Sequence, residues 1–176
     1  MKAEIISIGT ELLLGEITDT NASFLASQLP SLGIDLYFIS TAGDNRQRLV
    51  NTLKQAWQRS DLILTTGGLG PTQDDITRES IAELLQEELT IDPLLVQRLQ
   101  EFFCHRRLAM PQSNIKQASI IPSAHPLNNP RGTAPGWWVE KDGHIITAMP
   151  GPPYEMQFMW DNEVRPRLLP KCNRVS

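Results

Sequence analysis

The chain has 176 residues, 20% of them charged, and a formal net charge of −4. That length fits one domain, able to bury roughly 70% of its unfolded surface without covalent staples. The acidic balance and scattered basic residues exclude a nucleic-acid footprint, no apolar run is long enough for a membrane span, and Cys104 and Cys172 with three histidines give no metal-like spacing.

Residues 3–8 (AEIISI) form a short apolar run ending at Gly9, as in a buried strand. Met1-Lys2-Ala3-Glu4 leads straight into it, so no leader is expected, and the two widely separated cysteines make a reducing cytoplasm the expected compartment. After the loop GTELLLGEITDT, NASFLASQLPSLG reads as a helix, with Asp19, Thr20 or Asn21 as N-cap, Gly33 as terminator and Pro30 as a kink. Residues 34–41 are a second strand. Asp44 or Asn45 then caps a helix through Arg59, with Leu49, Val50, Leu53 and Trp57 on one face. Residues 61–66 (DLILTT) make a third strand, followed by a helix over about 73–88.

A further helix spans 92–107, with Pro93 at its first position and Arg106-Arg107 on a solvated face. The proline-rich stretch 109–135 reads mostly as loop. GWWVEKDGHIITAM reads as a hairpin turning at Asp142-Gly143. One of Trp137 and Trp138 should face the core and the other pack at a strand edge. A helix follows from about Tyr154. RPRLLPKCNRVS reads as a fraying tail, with the domain proper taken as 1–170 and the tail as 171–176. The alternation of strand and helix predicts an α/β fold with parallel strands and helices on both faces.

Open parallel sheets bind ligands beyond the carboxyl ends of their strands. Four segments fall there: GTELLLGEITDTN, AGDNR, GGLGPTQDD and PGPPYE. The candidate ligand positions are Gly9, Thr10, Asp19 and Asn21 in the first. They are Thr66, Gly67, Gly68, Gly70 and Asp74 in the third, and Pro150, Gly151, Pro152 and Pro153 in the fourth. Lys116 and Arg131 in the polar loop could meet phosphates, although a solvated side chain is the more ordinary reading for at least one of them. GGLGPTQDD is neither GxGxxG nor a P-loop; its glycines let backbone N–H groups approach an anion ahead of a helix. A plain strand-to-helix turn accounts for it about as well. Asp74 has Arg78 four residues on, a helical pair, whereas Asp75 faces Glu79, so Asp75 is the stronger functional candidate.

Together IISIGTELLLGEITDTN, STAGDNRQRL, TTGGLGPTQDDITRESIAE, NIKQASIIP, NPRGTAPGWW and MPGPPYEM resemble the molybdopterin-binding superfamily of MoaB, MogA and the central domain of MoeA. Within it they are most similar to the amino-terminal domain of CinA, the competence/damage-inducible protein. The resemblance implies a three-layer α/β/α sandwich with a mostly parallel sheet. It implies a homodimer, and an acidic site at Glu11, Asp44 and Asp75 with the GGLG and PGPP loops around the ligand. It implies metal-dependent hydrolysis of the pyrophosphate in ADP-ribose, a small nucleotide-like substrate. CinA proteins commonly carry a further deamidase domain; the chain is expected to be a stand-alone or shortened version without that activity. Binding or transfer on molybdopterin, and a non-catalytic oligomerisation module, are the competing readings.

Carboxylates in an anion site pose a conflict. Two unit charges about 4 Å apart repel by roughly 4 kcal/mol at an effective dielectric of 20. A divalent ion of the Mg, Mn or Co class, held by Glu11, Asp44 and Asp75, would remove it, with a monovalent cation as a further option.

Overall fold

The computed structural model describes residues 1–172. In chain order the elements are β1 (Lys2–Ile8), α1 (Thr10–Leu13), α2 (Thr20–Gln28), β2 (Asp35–Ala42), α3 (Arg46–Arg59), β3 (Leu62–Thr66) and α4 (Thr77–Leu85). There follow β4 (Thr90–Ile91), α5 (Pro93–His105), β5 (Ser119–Ile120), β6 (Ala124–Leu127), β7 (Gly136–Lys141), β8 (His144–Met149), α6 (Pro153–Met159) and α7 (Arg165–Cys172). Six strands form one sheet in the order β2-β1-β3-β8-β7-β6. The first four run parallel; β7 is antiparallel to both its neighbours, β8 and β6.

Strand alternation sends successive side chains to opposite faces. Ala3, Ile5, Leu62, Leu64 and Met149 pack with Leu25 of α2, Met156 of α6 and Leu168 of α7. Ile6, Ile8, Ile63, Ile146 and Ala148 pack with Leu49 and Leu53 of α3 and Ile81 of α4. The result is the expected three-layer arrangement. The hairpin turns at Asp142 (φ 50°) and Gly143 (φ 81°), the doubly positive pattern that a two-residue turn requires.

Several expectations change. Trp137 and Trp138 are both buried, on opposite faces, because β7 lies inside the sheet with both faces covered. The expected tail is helical to Cys172, with Leu168 fully buried; residues 173–176 lie outside the described ones. The stretch 109–135 contains a 3₁₀ turn over Gln112–Ala118 and two short strands. Pro30 sits in a 3₁₀ turn, Leu29–Leu32, that ends α2 at Gly33. Asp19 caps α2, and Asn45 rather than Asp44 caps α3. The helix expected from residue 73 starts only at Thr77, so Asp74 and Asp75 precede it. The Asp74–Arg78 helical pair is therefore not made; Arg78 is 1% exposed and points inward.

Glu87, just past α4, ties that helix to the segment before β6. Its carboxylate accepts from Ser123 N (2.8 Å), Ser123 Oγ (2.6 Å) and Lys141 Nζ (3.2 Å). Burial opposes its charged form, but these bonds outweigh burial and hold its pKa below the ordinary carboxylate value. The stability it contributes is therefore present above that ordinary value and is lost as pH falls through the folded-state pKa. Glu87→Gln should cost about 1–3 kcal/mol at neutral pH and reduce the loss of stability on acidification, as read by thermal denaturation at pH 7 and pH 3.

Candidate functional site

Because β1, β3 and β8 are parallel, their carboxyl ends release three loops on one edge of the sheet. The loops begin at Gly9, Gly67 and Pro150. Gly67 N–H donates to Met149 O (2.9 Å), which joins the second loop to the third. Asn21, at the start of α2, joins all three. Its Nδ2 donates to Thr66 Oγ1 and Gly151 O, each at 2.8 Å, and Thr66 Oγ1 donates to Pro150 O (3.1 Å).

Between these loops lies a cavity of about 530 Å³. Glu11, Asp19, Asn21, Thr66, Gly67, Gly68, Gly70 and Asp75 all line it, as do Pro150, Gly151, Pro152 and Pro153. The sequence-based expectation of convergence at the strand ends is met for these residues.

Other predicted positions fall outside the lining. Gly9 and Thr10 are not part of it. Thr10 Oγ1 accepts from Asp44 N (3.1 Å) and Asp44 Oδ2 accepts from Thr10 N (3.4 Å), so Asp44 braces α1 rather than facing the cavity. Lys116 Nζ donates to the carbonyls of Thr72 and Asp75, both at 2.6 Å, and holds the loop instead of awaiting a phosphate. The Arg131 guanidinium lies 4.7 Å from the Phe158 ring centroid, away from the site, and Asp74 is likewise absent from the lining.

The glycines have two distinct uses. Beside Gly9 lies the Glu11 carboxylate, 2.6 Å from where a Cβ would stand. Beside Gly70 lies that of Asp75, at 2.5 Å. These glycines make room for carboxylates. Gly67 and Gly68 have positive φ (98° and 70°) and lie against Ile8 and Thr77. Thr77 Oγ1 donates to Gly67 O (2.8 Å) and Thr77 N to Gly68 O (3.2 Å). A trans peptide sets its N–H opposite its C=O. Pinning both carbonyls toward α4 therefore turns the N–H groups of Gly68 and Leu69 the other way. Among the described residues neither they nor Gly70 N–H meets a protein acceptor, whereas Gly67 N–H is used.

Asp75 is held by its own loop: Oδ2 accepts from Thr72 N (2.9 Å) and Thr72 Oγ1 (2.7 Å). Behind the loop sits Arg78. Burial lowers its pKa to about 10, against the pull of Glu79 and Asp75, so it stays cationic at neutral pH. A buried cation behind the loop partly offsets the charge of Asp75.

Among the described residues no group of three or more His, Cys, Asp or Glu side chains is gathered as a metal cage would need. The predicted Glu11–Asp44–Asp75 trio is not formed, because Asp44 faces Thr10. Sequence reasoning also missed lining residues. Glu155, two places after PGPP, accepts from Asn129 Nδ2 (2.8 Å) at the cavity wall. Gln117, within NIKQAS, reaches the cavity from the 3₁₀ turn. The adjacency of Glu155 to PGPP was an available signal; Gln117, one polar residue among several in QSNIKQA, carries none along the chain.

The family model described as "Probable molybdopterin binding domain" matches residues 4–170. The chain belongs to that family. It is 56% identical over 170 residues to a CinA-like protein of Thermomicrobium roseum, covering 97% of this chain and 42% of that one. It is 53% identical over 173 residues to a competence-damage inducible protein of Halothermothrix orenii, described as putative, covering 98% and 42%. The chain thus spans less than half the length of these curated relatives. The solved structure of CinA from Thermoplasma acidophilum, whose function is described as unknown, matches this CinA-like fold with TM-score 0.88 and 30% identity. The match covers 94% of this chain and 98% of that one. MoaB from Thermus thermophilus, described as a molybdopterin biosynthesis enzyme, matches with TM-score 0.63 and 19% identity over 97% and 95%, a likeness of fold. Among the described residues no helix is long and apolar enough to cross a membrane.

Proposed function

We propose that this domain hydrolyses the pyrophosphate bond of ADP-ribose or a related nucleoside diphosphate derivative with the help of a divalent ion. The observation that carries this reading is that Glu11 and Asp75 line the same cavity as the outward N–H groups of the Gly68–Gly70 turn. Carboxylates and anion donors share one space.

Magnesium-class ions are commonly held by one or two carboxylates and completed by substrate phosphates. Four carboxylates line the cavity, Glu11, Asp19, Asp75 and Glu155, but among the described residues no three are gathered as a cage, which fits that sharing better than a closed protein site. Glu11 and Asp75 would hold the ion. When bound, it would polarise phosphorus and lower the pKa of a coordinated water. The N–H groups of Gly68 and Leu69 bind phosphate oxygens, and Arg78 supplies fixed positive charge behind them. The rigid Pro150–Pro153 loop limits where the substrate lies, with little ordering entropy left to lose.

Incubation with ADP-ribose and a panel of Mg, Mn and Co ions, followed by product identification, is the direct test. AMP and ribose 5-phosphate should appear only with a divalent ion. No AMP with any ion would end the proposal. The family match favours a second reading, binding or transfer on molybdopterin; its mark is retention of a pterin nucleotide without hydrolysis.

A further inference from the structure

The third peptide of the turn, between Leu69 and Gly70, is fixed by different residues from the first two. Leu69 O accepts from Arg78 Nη2 (3.0 Å) and from Gln117 Nε2 (3.2 Å). Both side chains are 1% exposed. They come from separate elements: Arg78 from α4, and Gln117 from the 3₁₀ turn over Gln112–Ala118. Gln117 is itself oriented, because its Oε1 accepts from Asn114 Nδ2 (2.8 Å). Its amide nitrogen must therefore face Leu69 O. Among the described residues Arg78 Nε and Nη1 have no acceptor of their own, so the link to Leu69 O is the hydrogen bond that anchors this buried guanidinium.

We propose that Arg78 and Gln117 are positioning residues for an anionic ligand: by clamping Leu69 O inward they turn Gly70 N–H toward the cavity. With Gly68 and Leu69, set by Thr77, this completes a run of three N–H donors. The ligand class is a phosphate or diphosphate group, and the inference rests on the reading of the cavity as a diphosphate site. Neither residue touches the ligand. Buried polar groups of this kind rarely stand for surface reasons, and a clamp with two donors on one carbonyl restrains peptide rotation more than either donor alone.

The test uses inorganic pyrophosphate with Mg²⁺, followed by amide NMR and calorimetry. In the wild-type chain the amide signals of Gly68, Leu69 and Gly70 should all shift on titration. Arg78→Met and Gln117→Met should each abolish the Gly70 response while Gly68 and Leu69, still held by Thr77, keep theirs. Affinity should fall on the order of tenfold or more for Arg78→Met, and roughly three- to tenfold for Gln117→Met. A uniform loss of all three responses would mean a merely structural role and overturn the inference, as would three unchanged responses. Gln117→Met carries the test if Arg78→Met does not fold. Wild-type amides that ignore pyrophosphate overturn it as well. Wild-type amides that respond, in a protein releasing no AMP from ADP-ribose, end the hydrolase reading and leave the clamp standing.

Discussion

Gly67→Ala is expected to destabilise the domain by about 2–5 kcal/mol, from backbone strain and overpacking together. The residue has φ 98°, and a Cβ there would press into the carbonyl oxygen of Ile8. That oxygen belongs to the backbone at the end of β1, in the middle of the sheet, so it cannot swing aside as a side chain could. Gly67 N–H is also bound to Met149 O (2.9 Å), so any shift of the turn disturbs the junction with the Pro150 loop. Thermal denaturation should show a fall of roughly 5–20 °C for a chain of this size. Gly15→Ala is the control. Gly15 also has positive φ, 71°, but its Cβ would meet nothing within 4 Å. It should cost only the backbone strain, about 1 kcal/mol. Equal losses for the two would mean that close approach to Ile8 is not what Gly67 is there to allow.

Local pattern was enough for the parallel core. Runs such as AEIISI and DLILTT end at glycines, and a run that is apolar throughout can be buried on both faces. The hairpin was legible for the same local reason, since Asp-Gly satisfies the turn. Trp137 and Trp138 were not, because whether a strand is edge or interior depends on partners distant in sequence. β6 pairs with β7 and covers the side that local reasoning left open. The end of the chain is not legible because terminal segments commonly fray, whereas here Leu168 finds a core to fill.

At the site, the ligand-facing loops were legible because strand ends and glycine clusters mark them. Supporting roles were not. Lys116 and Asp44 have residue types that bind phosphate or metal, yet each is used on the protein's own backbone. Arg78 reads as one half of a surface helix pair until the true start of α4 turns it inward. These assignments depend on which hydrogen-bond partners the tertiary fold brings within 3–4 Å, which spacing along the chain does not encode.

Asp75→Asn should abolish divalent-dependent release of AMP while leaving the fold intact. The fold survives because both bonds to Thr72 can be kept: the amide oxygen can accept from Thr72 N and Oγ1 as Oδ2 does now. The carbonyl of Asp75 still receives Lys116 Nζ (2.6 Å), so the loop stays braced. What disappears is one of the two negative charges proposed to hold the ion, Glu11 and Asp75. A neutral amide is a much weaker ligand for a hard divalent ion, and on the proposed reading turnover should drop about 100-fold or more. Glu11→Gln should lower it by a similar factor, since its carboxylate also faces the cavity. Asp44→Asn discriminates between a two-carboxylate and a three-carboxylate site. Its carboxylate accepts from Thr10 N at 3.4 Å and lies outside the lining, so its loss should change the rate by no more than about threefold, the effect of a surface contact. Equal damage from all three substitutions would restore Asp44 to the metal. An unchanged rate in Asp75→Asn, with an unchanged melting temperature, would remove Asp75 from the chemistry altogether.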